Sequence, residues 1–129
     1  MLVVGSGPAG LECALALGQR GYRVIIAESS AELGGRVSRE SRLPGLAEWV
    51  RVRDYRVLML ERMENVSIYR ENPLCADEIF EFSAEDQFDY SHVMLANGSF
   101  WRRNGLGSCL LYTSPSPRDA TLSRMPSSA

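Results

Sequence analysis

The pattern of apolar and polar positions predicts three successive elements at the start of the chain. Residues 1–4 are apolar and predict a short buried strand. A helix is predicted from Pro8, with Gly21 ending it. Its inward face consists of residues spaced three and four positions apart, Leu11, Ala14, Leu15 and Gly18. Residues 24–27 form a second apolar run, and a second strand is predicted over residues 23–28.

Four further segments of the same kinds follow. The sequence predicts a helix over residues 44–63, a strand over 65–71, a short helix or turn over 76–82 and a strand over 90–96. The stripe predicted on the first of these helices consists of Leu46, Trp49, Val50, Arg53, Val57 and Leu60. Because a strand, a helix and a strand follow one another within about 30 residues, the first two strands are expected to run parallel. We therefore predict an α/β fold with an incomplete Rossmann-type parallel sheet.

The loop before the first helix has three glycines in the spacing Gly-x-Gly-x-x-Gly. Gly5 supplies a backbone conformation that a side chain would obstruct. Gly7 leaves room for a pyrophosphate to approach the main chain, where helix N–H groups and the positive end of the helix dipole stabilise its charge. Gly10 lets the helix and the strand pack closely. The residues predicted to contact a nucleotide here are Gly5, Gly7, Pro8, Ala9 and Gly10.

An acidic residue ends the second strand. The carboxylate of Glu28, with Ser29 beside it, is predicted to accept hydrogen bonds from the ribose hydroxyls of an adenosine. Because a carboxylate repels a 2′-phosphate, FAD, NAD or ADP is expected in preference to NADP. The strand, glycines, helix, second strand and acid occur in the expected order, which is more specific than the glycines alone. The alternative is a βαβ unit that binds no nucleotide.

Composition and charge argue against several other classes of function. All 14 basic residues are arginine, so no lysine can form a Schiff base or act as a general base. The net charge of −2 gives no support for nucleic-acid binding. No apolar run is long enough to predict a membrane-spanning helix, and the chain begins without the pattern of a signal peptide. We therefore expect no membrane and no nucleic-acid partner, and a cytoplasmic location.

The histidine and the cysteines indicate neither a catalytic site nor a metal site. His92 is the only histidine and lies at the start of the last predicted strand, where a structural role is favoured over a catalytic one. Cys13, Cys75 and Cys109 are widely spaced and form no Cys-x-x-Cys pair, so neither a redox disulfide nor a thiolate metal site is expected. Cys13 is predicted to be a small core residue. We predict no catalytic residue and no metal ligand.

A second glycine pair, Gly34-Gly35, follows the acid and is itself followed by Arg36. Together with the first motif, this extension resembles the two-dinucleotide-binding-domain flavoproteins, the family that includes glutathione reductase. The resemblance implies that the pair passes close to the adenosine and pyrophosphate of FAD and that Arg36 packs nearby. The family also has a strand that ends in Ala-Thr-Gly, matched by Ala96-Asn97-Gly98 with Asn97 in place of threonine. The resemblance thus adds Ala96 and Gly98 to the expected cofactor contacts.

Residues 1 to about 107 more narrowly resemble the nucleotide-binding part of the trimethylamine dehydrogenase, dimethylamine dehydrogenase and 2,4-dienoyl-CoA reductase group. The stretches that carry this resemblance are Gly34-Gly35-Arg36-Val37, Leu43-Pro44-Gly45-Leu46, Trp49 with Arg53-Asp54-Tyr55-Arg56, and Trp101-Arg102-Arg103. In that group the domain follows a flavin-bearing barrel with an iron–sulfur cluster. The resemblance implies that this barrel and a second nucleotide domain are missing partners of the chain. It leaves two roles open: binding an FAD that passes electrons between NAD(P)H and the barrel, or binding an ADP with no redox part.

The end of the chain differs in composition from the rest. Residues 108–129 hold three of the six prolines and six serines, and their apolar residues have no period, so disorder is expected. The stretch 111–129 resembles a translated adaptor or read-through tail, with a native flexible C-terminus as the alternative. We predict a partial FAD/ADP-binding Rossmann-type domain over 1–107 and a foreign tail over 108–129. Alone the chain is expected to be inactive, and an NAD-dependent dehydrogenase is the third interpretation.

Overall fold

Short strands alternate with helices along the chain. A computed structural model describes residues 1–84 and 91–99. Its elements are β1 (Leu2–Val4), α1 (Pro8–Gln19), β2 (Val24–Ala27), α2 (Arg36–Glu40), a 3-10 turn (Ala47–Trp49), α3 (Val50–Glu61), β3 (Val66–Tyr69), α4 (Ala76–Ala84) and β4 (Val93–Leu95). The predictions on Trp101-Arg102-Arg103, on Cys109 and on the tail from residue 108 lie outside the described residues.

The four strands form one parallel sheet in the order β3-β2-β1-β4. At its centre Val3 lies opposite Ile26 on one side and Met94 on the other, and Ile26 lies opposite Ile68. The predicted α/β class with a Rossmann-type parallel sheet is confirmed. Since all strands point the same way, the loops that follow β1, β2 and β4 leave the sheet at the same edge.

Helices α1 and α3 cover one face of the sheet. The buried cluster on this face consists of Val3, Leu11, Ala14, Leu15, Val24, Ile26 and Leu60. The predicted inward face of α1 is confirmed, since all four of its residues are buried. Cys13 is half-buried and packs against the same cluster. Complete burial of a leucine or isoleucine side chain contributes roughly 1.5–3 kcal/mol, so these contacts hold α1 firmly at the end of β1.

A smaller apolar cluster lies on the opposite face. It consists of Leu2 and Ala27, with Val4, Ile25, Leu74 and Ile79 packed against them. The edge strand β4 contributes little to either cluster, because all three of its side chains are exposed. His92, just before β4, is exposed, and its backbone carbonyl accepts a hydrogen bond from Leu2 N–H at 2.9 Å. In the part of the chain that the structure describes, no helix has the length and apolar character needed to cross a membrane.

The region between residues 36 and 63 differs from the sequence prediction. The helix predicted over 44–63 begins only at Val50, because Gly45 has a φ of +81° and a 3-10 turn follows it. Trp49 was predicted on the inward stripe, yet it is 53% exposed since it belongs to that turn and not to the helix. Leu60, near the other end of the stripe, is buried as predicted. The short helix α2 has no counterpart among the predicted elements.

Candidate functional site

The first glycine loop joins β1 to the amino end of α1. Gly7 is the N-cap residue of α1 and gives it no side-chain cap, while Pro8 occupies the first turn of the helix. A Cβ added to Gly7 would have no atom within 4 Å, and Ala9 is exposed. The N–H groups of the first turn are therefore not covered by a capping side chain. Such a helix end attracts anions through its N–H groups and its dipole.

Two other glycines of this loop permit close backbone contacts. Gly5 has a φ of +98°, and a Cβ there would lie 2.5 Å from the carbonyl oxygen of Ala96. A Cβ on Gly10 would lie 1.9 Å from the carbonyl oxygen of Gly5 and 3.2 Å from the Cβ of Ala96. The loop, the first turn of α1 and the end of β4 are thus in direct contact. Side chains at either glycine would push these three segments apart.

The second glycine pair lies against the first loop. The N–H of Gly34 donates to the carbonyl oxygen of Ser6 at 2.9 Å, and an added Cβ on Gly35 would come within 3.3 Å of the Cα of Gly7. Both glycines have a positive φ, +105° and +56°. The structure thus brings together two glycine motifs that are almost thirty residues apart in the sequence. Gly7 is the residue where they meet.

Glu28 comes directly after β2 and is only 7% exposed. Its Oε2 accepts hydrogen bonds from the N–H of Ser6 at 2.8 Å and from the Ser6 hydroxyl at 2.5 Å. Its Oε1 accepts from the N–H and hydroxyl of Ser30, at 2.9 and 2.8 Å, and from the Ser29 hydroxyl at 3.2 Å. The carboxylate therefore lies beside the first glycine loop with its oxygens held by three serines.

These hydrogen bonds determine the ionisation of Glu28. Burial of the carboxyl group raises its pKa, but the hydrogen bonds from Ser6 and Ser30 favour the charged form and lower the pKa from 4.5 to about 2. Glu28 is therefore a carboxylate throughout the physiological range of pH. A charged, fixed acceptor beside an uncapped helix amino end suits a ligand that carries hydroxyl donors next to an anionic group.

The remaining predicted residues lie at the margins of this arrangement. Arg36 begins α2 and forms an ion pair with Glu40, with its Nη2 at 2.6 Å from Oε1. Ser29 is exposed. Ala96 lies against Gly5, as described above, whereas Gly98 is exposed and has open space around the position of a Cβ. Ala96 thus belongs to the compact part of the site and Gly98 to its open rim.

Sequence reasoning missed three residues of this site. Ser6 is fully buried and contacts both Glu28 and Gly34. Ser30 holds the other oxygen of the carboxylate. Arg53 of α3 donates to the Ser38 hydroxyl at 3.0 Å and limits the space beside the second glycine pair. The available signal was general: a buried carboxylate needs donors, and serines next to the glycines and next to the acid can supply them.

Comparisons with known proteins show what this chain is similar to. The family model described as an NAD(P)-binding Rossmann-like domain matches residues 3–58. Dimethylamine dehydrogenase from Hyphomicrobium sp. (strain x) is 38% identical, over 82% of this chain and 14% of its own length. Among solved structures, 6-hydroxypseudooxynicotine amine oxidase from Pseudomonas geniculata N1 is 50% identical with a TM-score of 0.75, over 82% of this chain and 15% of that one. Histamine dehydrogenase from Rhizobium sp. 4-9 is 47% identical with a TM-score of 0.75, over 83% and 16%.

The chain therefore spans about a seventh of the length of each of these relatives. Two of the three are called dehydrogenases and the third an amine oxidase. The sequence-based prediction of a resemblance to the amine dehydrogenase group is confirmed. The matched residues 3–58 contain both glycine motifs and Glu28.

Proposed function

Because this chain belongs to the NAD(P)-binding Rossmann-like domain family and is homologous to part of the amine dehydrogenases, we propose that it binds the ADP half of FAD in a flavin-dependent oxidoreductase. The observation that supports this most directly is the meeting of both glycine motifs and the Glu28 carboxylate at the uncapped amino end of α1. In ADP an anionic diphosphate is attached to a ribose, and in this kind of motif the helix end contacts the diphosphate while the acid contacts the ribose.

Each residue has a defined role in this proposal. The N–H groups that follow Gly7 receive the diphosphate, and Gly34-Gly35 lies alongside it. Glu28 accepts hydrogen bonds from the adenosine ribose, while its negative charge disfavours a 2′-phosphate and therefore NADP. FAD supplies the redox chemistry through its isoalloxazine ring. In this proposal the residues of this chain bind and orient the cofactor, and the role of acid, base or nucleophile is assigned to none of the residues that the structure describes.

Two narrower alternatives use the same contacts. A non-redox ADP needs only the diphosphate and ribose positions, and NAD carries the same ADP half. The second glycine pair packed on Gly7 favours a flavoprotein over a simple NAD dehydrogenase, through the resemblance noted in the sequence. The barrel, a second nucleotide domain and a cytoplasmic location are parts of this proposal that concern the whole enzyme.

The test is calorimetric titration of the full 129-residue chain with ADP, FAD, NAD⁺ and 2′-phospho-ADP. FAD binding that is at least as tight as ADP binding, with 2′-phospho-ADP excluded, is the expected result. Equal binding of ADP and NAD⁺ with no binding of FAD would instead support the NAD dehydrogenase. Failure of the folded chain to bind any of the four ligands would refute the proposal.

Gly7→Ala separates ligand binding from folding. The added methyl group meets no atom within 4 Å, so the free energy of unfolding should change by less than about 1 kcal/mol. The same methyl group occupies the path of the diphosphate to the main chain, and we expect affinity for ADP to fall at least about tenfold. Circular dichroism melts of both chains provide the control. Unchanged affinity in Gly7→Ala would place the diphosphate elsewhere.

A further inference from the structure

The two oxygens of the Glu28 carboxylate have different surroundings. Oε2 is on the buried side, where both of its donors belong to Ser6, a residue with no exposed surface. Oε1 faces Ser29 and Ser30, which are both exposed. A ligand that arrives from solvent therefore reaches Oε1 past exposed hydroxyl groups, but it reaches Oε2 only by displacing a buried residue.

The two serine hydroxyls also differ in their freedom. The Ser30 hydroxyl has two acceptors in range, Glu28 Oε1 at 2.8 Å and the carbonyl oxygen of Glu32 at 2.9 Å. A hydroxyl carries one hydrogen, so it can donate to only one of them at a time. When it turns to Glu32, Oε1 loses one donor and the Ser30 hydroxyl stays paired.

The Ser6 hydroxyl has no such choice. Among the residues that the structure describes, its acceptor is Glu28 Oε2. Turning away would leave a buried hydroxyl without an acceptor, which is unfavourable. The carbonyl of Ser6 also accepts the Gly34 N–H at 2.9 Å, so moving Ser6 would disturb the contact between the two glycine loops.

We propose that the two oxygens of Glu28 have separate tasks: Ser6 anchors Oε2 permanently, while Oε1 accepts a ribose hydroxyl in exchange for the Ser30 hydroxyl, which turns to the Glu32 carbonyl. This inference rests on the proposed binding of ADP or the ADP half of FAD. Ser6 is then a positioning residue and Ser30 an exchangeable donor. No covalent bond is made or broken, since one hydroxyl donor replaces another on the same carboxylate oxygen.

The exchange predicts opposite effects for two substitutions around one carboxylate. Ser6→Ala removes the buried hydroxyl donor of Oε2 and leaves that oxygen only the N–H of residue 6, so the carboxylate presents Oε1 less reproducibly to the ribose. Ser30→Ala removes the hydroxyl that the ribose must displace, while the N–H of Ser30 still holds the carboxylate. If both serines merely supported the carboxylate, the two substitutions would act in the same direction.

The experiment compares ADP with 2′,3′-dideoxy-ADP, which lacks both ribose hydroxyls, in calorimetric titrations of the full chain. The affinity ratio of the two ligands reports recognition of the ribose hydroxyls alone. We expect Ser6→Ala to lower this ratio about tenfold, the usual loss for a hydrogen bond to a charged group. Ser30→Ala should raise the ratio, by about two- to threefold.

Ser38→Ala is the matched control. Ser38 is also a buried serine, 3% exposed. Its hydroxyl donates to the carbonyl oxygen of Leu33 at 2.7 Å and accepts from Arg53 at 3.0 Å, and it is not among the serines that hold the Glu28 carboxylate, so removing it should leave the ratio unchanged. A ratio lowered by Ser30→Ala would overturn the exchange, as would a ratio untouched by folded Ser6→Ala. Ser30 is exposed, so its variant keeps the test decisive if Ser6→Ala does not fold. A wild-type chain that binds no ADP fails the proposed function itself, before any variant is made.

Discussion

Replacing Gly10 with alanine should destabilise this chain far more than the same replacement at Gly18 in the same helix. The new Cβ at position 10 would lie 1.9 Å from the carbonyl oxygen of Gly5 and 3.0 Å from its carbonyl carbon. An ordinary contact needs about 3.4 Å, so helix and loop would have to separate by about 1.5 Å. The two Gly5 atoms that the new Cβ would meet both belong to the backbone, and therefore no change of side-chain rotamer relieves the clash.

The magnitude follows from this geometry. Overpacking in a core typically costs 1–3 kcal/mol, and a contact between two backbone segments belongs at the upper end, about 3 kcal/mol. In Gly18→Ala the Cβ meets the sulfur of Met63 at 2.8 Å and a methyl group of Val66 at 3.0 Å. The methionine can move aside, and alanine gains about 1 kcal/mol over glycine inside a helix. Gly18→Ala should therefore change stability by no more than about 1 kcal/mol.

The assay is thermal and urea unfolding of the full chain followed by far-ultraviolet circular dichroism. For a domain of this size, 1 kcal/mol corresponds to roughly 4–8 °C in Tm, so Gly10→Ala should melt at least about 10 °C below Gly18→Ala. If the melting temperatures of the two variants differed by less than about 3 °C, the loop and α1 would not be packed as described. The site could then not be placed at that end of the helix.

Two further predictions concern hydrogen bonds that hold the fold together. Glu28→Gln should cost on the order of 2–3 kcal/mol at neutral pH. Because folding lowers the pKa of Glu28 from 4.5 to about 2, this advantage of the wild type is complete above the unfolded pKa and is lost as pH falls through about 2, as urea titrations across that window would show. Asn65→Ala removes hydrogen bonds to the carbonyl oxygens of Gly18 at 2.9 Å and Tyr22 at 2.8 Å. The free energy of unfolding in urea should fall by about 1–2 kcal/mol. Asn72→Ala is the control and should cost little, because the side chain of Asn72 is exposed.

The parts of the fold that the sequence predicted are those set by local pattern. The inward face of α1 follows from a helical spacing that needs no knowledge of the partner. The glycine motif is equally local, and from it Gly10 was expected to allow close packing. The start of α3 was placed too early because the apolar spacing runs on through residues 44–49, although Gly45 takes a left-handed conformation there. Spacing alone does not show where a backbone turns.

The chemistry around Glu28 was beyond the sequence because it depends on tertiary placement. The motif accepts many residue types at the single position between Gly5 and Gly7, so nothing in the local sequence identifies Ser6 as a hydrogen-bond donor. Its importance comes from a carboxylate 22 positions away that folding buries beside it. A buried carboxylate must be supplied with donors, yet which of the nearby serines supplies them is decided by the register of β1 against β2.

Ser6 makes the acid and the two glycine loops one structural unit. Its N–H and hydroxyl fix Glu28, its carbonyl fixes Gly34, and its neighbour Gly7 supplies the uncapped end of α1. The helix end that we propose to bind the diphosphate and the carboxylate that we propose to accept the ribose are therefore set relative to each other through one residue. In this arrangement a ligand would not have to order either group on arrival, and a preformed site loses less free energy on binding. In the proposed exchange only the exposed hydroxyl of Ser30 changes its hydrogen-bond acceptor. The ribose hydroxyl should therefore bind at Oε1 and not at Oε2.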